Sequence, residues 1–318
     1  MTTSASTSAS AAVSAPMCSL FVDKYVPKSF DDILFNREVA IKLMACAKAI
    51  DIPHMIIKGG EGSGRKTFAN LYIKEKYHQT DIRTKYETIA IKNGSKTIDL
   101  QMLYDDYHYQ IDPSVHGVYD RIIMQGFVKD ILQNKPISKT PYHIVIVNNA
   151  DHLTFEAQQS LRRTLEKNIN NCRFIFIVNQ ESNMIDPIVS RCIQIRLASP
   201  EQRDIVNVLK KICIQEQILH HIHQLEQLAA YSRRNLLKAM NLLQYVHLTT
   251  PHILTKSSMI NMDEINSTDK YIANVAEQLI LTKNPAELLG LRDAVYDLLV
   301  QCIEPIKILK GIFYVVFE

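Results

Sequence analysis

The chain has 318 residues, 47% of them apolar, enough for two or three domains with ordinary cores. Its 36 basic residues against 33 acidic ones give a net charge of +3, which permits contact with nucleic acid without arguing for it. The six cysteines form no CxxC pair and have no histidine at zinc spacing, so they exclude a zinc module and read as free thiols of a reducing compartment. No apolar run reaches the length of a membrane span.

Residues 1–18 begin Ser/Thr/Ala-rich, without a charged start or a solid apolar stretch, and are expected to be a disordered tail rather than a signal peptide. Phe21 to Pro27 reads as an extended lead-in. Asn36 to Ile50 has helical periodicity, and His54 to Ile57 is a short buried strand running into Gly59-Gly60-Glu61-Gly62-Ser63-Gly64-Arg65-Lys66-Thr67. A helix follows over Arg65–Tyr77, then a strand over Tyr86–Ile91 and an amphipathic helix over Gly117–Gln133. His143–Val147 is a continuous apolar run, as a buried parallel strand should be. Leu153, Ala157, Leu161 and Leu165 recur every four residues, which predicts a helix with Thr154 as N-cap. Arg173–Val178 and Ile193–Leu197 complete the strands. Their alternation with helices predicts a parallel sheet covered on both faces, with ligands at the carboxyl ends of the strands.

From Ser199 the pattern is helical: Glu201–Gln215, His223–Tyr231 and Asn235–His247. Thr249–Lys270 is polar and holds Pro251, as a linker would, and helices resume from Tyr271 with Pro285 and Pro305 as breaks. The expected organisation is a tail (1–18), a nucleotide-binding α/β domain (19–198), a helical lid (199–250), a linker (251–270) and an all-α domain (271–318).

The glycine loop carries the most chemistry. A P-loop reads GxxxxGK(S/T): its backbone N–H groups cradle phosphates, its lysine reaches the β/γ oxygens and its hydroxyl holds Mg²⁺. The glycines are in place at Gly59, Gly62 and Gly64, but Arg65 stands where the lysine belongs and Lys66 where the hydroxyl belongs. The second element of an ATPase, two acids after an apolar strand, is here Asn148-Asn149. The first is a poor ligand for a hard cation and the second cannot take a proton. ATP or ADP binding without efficient hydrolysis is expected, with Mg²⁺ deprived of both protein ligands. Arg191, on the loop between two strands, has the position of a finger that stabilises charge in a neighbouring subunit. The same spacing also suits a solvated surface arginine.

Together, Phe21–Pro27, Ile52-Pro53-His54, the glycine loop, Ser160-Leu161-Arg162-Arg163-Thr164-Leu165-Glu166 and Ser190-Arg191-Cys192 resemble the replication factor C small subunits, AAA+ proteins of the sliding-clamp loader. The resemblance runs from about residue 20 to the end. It is strongest to the branch numbered 3 in animals and 5 in budding yeast, through Tyr107-His108, Asp112-Pro113-Ser114, Asp120-Arg121 and Arg292–Leu299, a branch that lacks a complete hydrolytic site. It implies an AAA+ P-loop sheet followed by a helical lid and an all-α collar, here reduced or divergent. It places Asn179 at the sensor-1 position, Arg191 at the trans finger, and Tyr25 and Pro27 against the adenine, with Val26 where the family has arginine. The sensor-2 arginine falls at Leu237 and is absent; Arg233, Arg234 or Lys238 would have to substitute.

The partners implied are other replication factor C subunits in a hetero-oligomer, a PCNA-like sliding clamp and primer-template DNA, with no membrane. The location implied is nuclear, or a viral replication compartment for a chain of viral origin. Clamp loaders track the duplex backbone with basic side chains and helix N-termini. Arg121 and Lys129 are the DNA-binding candidates, followed by Lys92 and Lys96. Two other readings stay open: an active AAA+ ATPase subunit, and a nucleotide-free scaffold with the same fold.

Overall fold

The structure, a computed structural model, describes residues 19–49, 51–78, 84–93, 96–131, 142–167, 171–249, 267–281 and 285–317. The expected tail and most of the expected linker lie outside them. The chain divides into two compact units, one ending at Ser257 and one starting at Ser258.

The first unit is built on seven strands: β1 (Met55–Lys58), β2 (Lys85–Asn93), β3 (Lys96–Tyr104), β4 (His108–Ile111), β5 (His143–Val147), β6 (Cys172–Val178) and β7 (Ile193–Arg196). They form one sheet in the order β2-β3-β4-β5-β6-β1-β7. From β4 to β7 every pair is parallel. Successive side chains of the central strands alternate between two cores, as a pleated strand requires. Val145, Val147, Phe174 and Phe176 enter one, Ile144, Ile146, Ile175 and Ile177 the other.

The helices of this unit are α1 (Phe21–Lys24), α2 (Arg37–Ala47), α3 (Arg65–Tyr77), α4 (Asp120–Ile131), α5 (Phe155–Lys167) and α6 (Asp186–Val189). Leu43 of α2 and Phe68, Leu71 and Tyr72 of α3 pack on the second core. Ile123 and Phe127 of α4 and the four-residue ladder Leu153, Ala157, Leu161, Leu165 pack on the first. Thr154 caps α5, its Oγ1 accepting from the Ala157 amide at 3.3 Å. Then come α7 (Gln202–Gln215), α8 (Ile222–Tyr231) and α9 (Leu236–Thr249), which bury Ile205, Leu209, Leu225, Leu228 and Leu243.

The structure corrects the sequence reading in four places. The parallel sheet carries an antiparallel extension at one edge, where β2 pairs with β3 and β3 with β4. In β3, buried Leu100 and Met102 alternate with exposed Asp99 and Gln101, a half-exposed strand that a search for continuous apolar runs passes over. The lead-in is not extended throughout, since Phe21–Lys24 turns into α1. The helix expected from Gly117 begins at Asp120, because Gly117 takes φ 54°, ψ −115° and kinks the 3₁₀ segment Pro113–Tyr119 that precedes α4. The last correction concerns the linker, whose final residues, Ser267 to Lys270, are already helical.

The second unit consists of α10 (Ser267–Leu281), α11 (Pro285–Val300) and α12 (Pro305–Phe317). Pro285 and Pro305 open helices, where a missing N–H costs nothing. Ile272, Leu298 and Ile308 form its small core.

Candidate functional site

The glycine loop leaves β1 at the carboxyl edge of the sheet. Gly62 and Gly64 have φ of 74° and 84°, left-handed backbone that favours glycine. Gly64 is the N-cap of α3, so the loop delivers the chain into the N-terminus of a 13-residue helix. Ser63 is buried and its Oγ donates to the Gly60 carbonyl at 2.8 Å, which closes the loop on itself. Lys66 is exposed on the first turn of α3.

Polar groups gather where β1, β5 and β6 end. Asp151 accepts from the backbone amides of Asn179 at 3.1 Å and Gln180 at 3.3 Å through Oδ2. Its Oδ1, the Oδ1 atoms of Asn148 and Asn179, and Nη1 of Arg65 are buried without a hydrogen-bond partner among the described residues. Asn148 and Asp151 are each only 6% exposed. Burial pulls Arg65 below the ordinary guanidinium pKa, while the carboxylates of Asp151 and Glu61 act the other way. Buried polar atoms ordinarily find partners, so unmet ones at one sheet edge mark a place built to receive something. Asn149 is not among them: its Nδ2 donates to Asp112 Oδ2 at 2.7 Å.

Beside the loop lies a cavity of about 350 Å³, within the range of small-molecule sites. Tyr25, Pro27, Gly62, Gly64 and Thr67 all line it, together with Ile33, Phe35, Phe68, Val208, Ile212, Leu237 and Met240. The lead-in closes one wall by bonding to the helices that follow the sheet. Lys24 Nζ and Tyr25 Oη both reach Glu216 Oε1 at 2.6 Å, and the Phe21 amide donates to Gln244 Oε1 at 2.8 Å. The hydrogen bonds from Lys24 and then Tyr25 hold the Glu216 carboxyl below its usual pKa. Asn235, N-cap of α9, stands against the glycine loop, where a Cβ on Gly62 would fall 2.3 Å from its Oδ1.

Of the basic residues expected to stand in for the missing arginine at Leu237, Arg234 is engaged by the carbonyls of Ser199 (3.0 Å) and Pro200 (3.2 Å). Lys238 lies over the Tyr231 ring at 4.8 Å. Arg191 Nη2 pairs with Glu166 of α5 at 2.7 Å, and its Nη1 donates to the Pro187 carbonyl at 2.8 Å. Arg121 pairs with Glu156 at 2.8 Å on the surface. The side chains of Lys92, Lys96 and Lys129 lie outside the described residues.

Sequence reasoning missed Glu216, Gln244, Asn235 and the apolar walls, since nothing local in the sequence joins a lead-in near residue 25 to a helix near residue 216. The donor set does not suit a hydrolytic Mg²⁺ centre. Lys66, Asn148 and Asn149 are a lysine and two carboxamides where the sequence reading expects the metal ligands and the base. The left-handed glycines, the helix N-terminus, the unmet Arg65 nitrogen and the adjacent cavity do suit a nucleotide.

Comparison with known proteins agrees with this arrangement. The family described as "DNA polymerase III, delta subunit" matches residues 36–201. Replication factor C subunit 3 of Arabidopsis thaliana is 34% identical, covering 93% of this chain and 84% of that protein. Replication factor C subunit 5 of Schizosaccharomyces pombe is 32% identical, covering 92% and 82%, and human replication factor C subunit 3 is 32% identical, covering 92% and 83%. Among solved structures, Thermotoga maritima RuvB, a Holliday junction branch migration motor, superposes with a TM-score of 0.55 at 15% identity over 85% of each chain, which shows the AAA+ fold. A glycine loop at the carboxyl edge of a β4-β5-β6-β1-β7 core, a helical lid closing on it, and relatives that match nearly end to end lead to one conclusion: this chain belongs to the replication factor C clamp-loader subunits, on the branch numbered 3 or 5.

Proposed function

We propose that the chain is a nucleotide-binding, non-hydrolysing subunit of a hetero-oligomeric clamp loader that places a PCNA-like ring on primer-template DNA in the nucleus, or in a viral replication compartment. The observation that carries this is the split character of the site. The phosphate cradle is built, yet Asn148 and Asn149 replace both acids and Asn149 is tied to Asp112 as a donor. A carboxamide takes no proton from water, so no general base stands there. ATP or ADP would be held by the amides of Gly59–Thr67 and by Arg65, with the base in the cavity beside Tyr25 and Pro27. Asn179, its side-chain oxygen unmet, is the group that would sense the terminal phosphate. Hydrolysis then belongs to neighbouring subunits, one of which receives Arg191 as its finger. Arg121 and Lys129 are the side chains proposed to face the DNA backbone.

Leu237 favours the scaffold reading, because it presents an apolar side chain to the cavity where the family resemblance calls for an arginine. Equilibrium binding of fluorescent ATP and ADP by the purified chain, with its turnover measured alongside, separates the readings. Saturable binding at micromolar nucleotide with negligible turnover is expected. An empty site at millimolar nucleotide supports the scaffold, and turnover near that of active AAA+ subunits overturns the proposal.

A further inference from the structure

Arg191 is the residue whose setting says most beyond its own role. It sits two positions past the end of the short helix α6 and its side chain is 38% exposed, too open for burial to hold its orientation. Long exposed arginines sample many rotamers, and ordering one costs conformational entropy. Here the guanidinium is held both within its own loop, where Nη1 also lies 3.5 Å from Ser190 Oγ, and across to α5. Nη1 donates to the Pro187 carbonyl at 2.8 Å, within its own loop, and Nη2 meets Glu166 Oε1 at 2.7 Å, across a gap of 25 residues in sequence. The Pro187 bond moves with the loop and cannot orient the side chain against the rest of the domain. Only Glu166 does that.

Glu166, its own side chain 43% exposed, is placed by its helix rather than by burial. It follows Leu165, which is buried on the last full turn of α5, and Arg162 one turn earlier reaches the same oxygen at the longer distance of 3.4 Å. The shorter bond to Arg191 is the stronger of the two. A guanidinium has five N–H groups in a planar fork. With Nη1 serving Pro187 and Ser190 and one N–H of Nη2 serving Glu166, Nε–H and the second N–H of Nη2 remain for an incoming anion, their plane set by the carboxylate.

We infer that Glu166 is a positioning residue for Arg191: it sets the plane of the finger before a neighbouring nucleotide arrives. The inference rests on the reading of Arg191 as a trans finger. The partner it serves is the phosphate group of a nucleotide bound by the adjoining subunit. Misplacing a catalytic group can cost roughly a hundredfold at its own site, so a loss of a few-fold to about tenfold is expected in a complex that retains other sites.

The test uses the complete hetero-oligomer, with this chain wild type or carrying Arg191→Ala, Glu166→Ala, Glu166→Gln or both alanines, and reads DNA- and clamp-stimulated ATP turnover as kcat and KM separately. Glu166→Ala should lower kcat with KM nearly unchanged. Glu166→Gln, which keeps a hydrogen bond, should restore part of the loss. The double alanine variant should be no worse than Arg191→Ala, because two residues acting through one group are not additive. Full kcat in Glu166→Ala beside a loss in Arg191→Ala overturns the positioning role and leaves the finger standing. Losses that multiply in the double variant also overturn it. No loss in Arg191→Ala removes the finger reading itself, and this inference with it. If Glu166→Ala fails to assemble, the isosteric glutamine variant carries the test, and full kcat there with no effect on KM in an assembled complex counts against the proposal.

Discussion

Two arginines at opposite ends of the sheet, Arg173 buried and Arg65 half-buried, live in opposite conditions. Arg173, near the start of β6, donates to the carbonyls of Ile52 and Cys172 (3.0 Å to the latter), pairs with Asp51 at 2.6 Å, and lies 4.8 Å from the Tyr142 ring centre. Arg65, at the carboxyl edge, keeps a buried nitrogen without a partner among the described residues, next to the equally unmet oxygens of Asn148, Asp151 and Asn179. Satisfied buried charge holds a fold together, whereas unsatisfied buried charge weakens it unless a ligand completes it. For these two side chains the contrast separates an arginine that stabilises the fold from one left available to a ligand.

Swapping each arginine for alanine tests that separation most directly. Arg173→Ala should lower unfolding free energy by about 3 kcal/mol, since two carbonyls and a carboxylate lose their donor together. Arg65→Ala should leave the nucleotide-free protein within about 0.5 kcal/mol of wild type and weaken nucleotide binding roughly 10- to 100-fold. Chemical denaturation and equilibrium titration read the two effects. A large loss of apo stability in Arg65→Ala would break the comparison.

A pH series sharpens the stable end. His54 Nδ1 accepts from the Phe174 amide at 3.1 Å, a bond that needs the neutral ring, and burial, with the charge of Arg173 adding, lowers its pKa to about 4. The folded pKa lies below the unfolded value of about 6.5, so the unfolded chain takes up the proton first. This contribution is complete above pH 6.5 and is lost as pH falls toward 4, in total about 3 kcal/mol. His54→Phe should flatten the stability profile between those values. A profile with the same slope in the variant would assign the acid sensitivity elsewhere.

The smallest effect belongs to the wall of the cavity. Glu216→Ala removes the acceptor shared by Lys24 and Tyr25 and should speed nucleotide release by roughly two- to fivefold, as expected for a solvent-facing pair. Stopped-flow displacement of a fluorescent nucleotide measures it, and an unchanged rate would show that the lead-in plays no part in retention.

Much of this was legible in the sequence. The strands β5 and β6 and the helix α3 fell where continuous apolar runs and the glycine loop placed them, because a buried parallel strand and a P-loop each have a strong local signature. The β2–β3 hairpin was not, since half-exposed strands carry only weak alternation, and Gly117 concealed the true start of α4. At the site, the loop and the two asparagines were readable from spacing alone. The walls of the cavity were not. Glu216, Gln244 and Asn235 meet residues far away in the chain, and such pairings depend on tertiary packing rather than on any local pattern.

The contact between Gly62 and Asn235 has a mechanical consequence. A side chain at Gly62 would strike not only the carboxamide but the Asn235 backbone, with Cα 2.9 Å from the added Cβ. The start of α9 already rests against the loop at this point. The pair is thus a doorstop: at this point the start of α9 and the loop stand as near as a glycine permits, and only a residue without a side chain lets them do so.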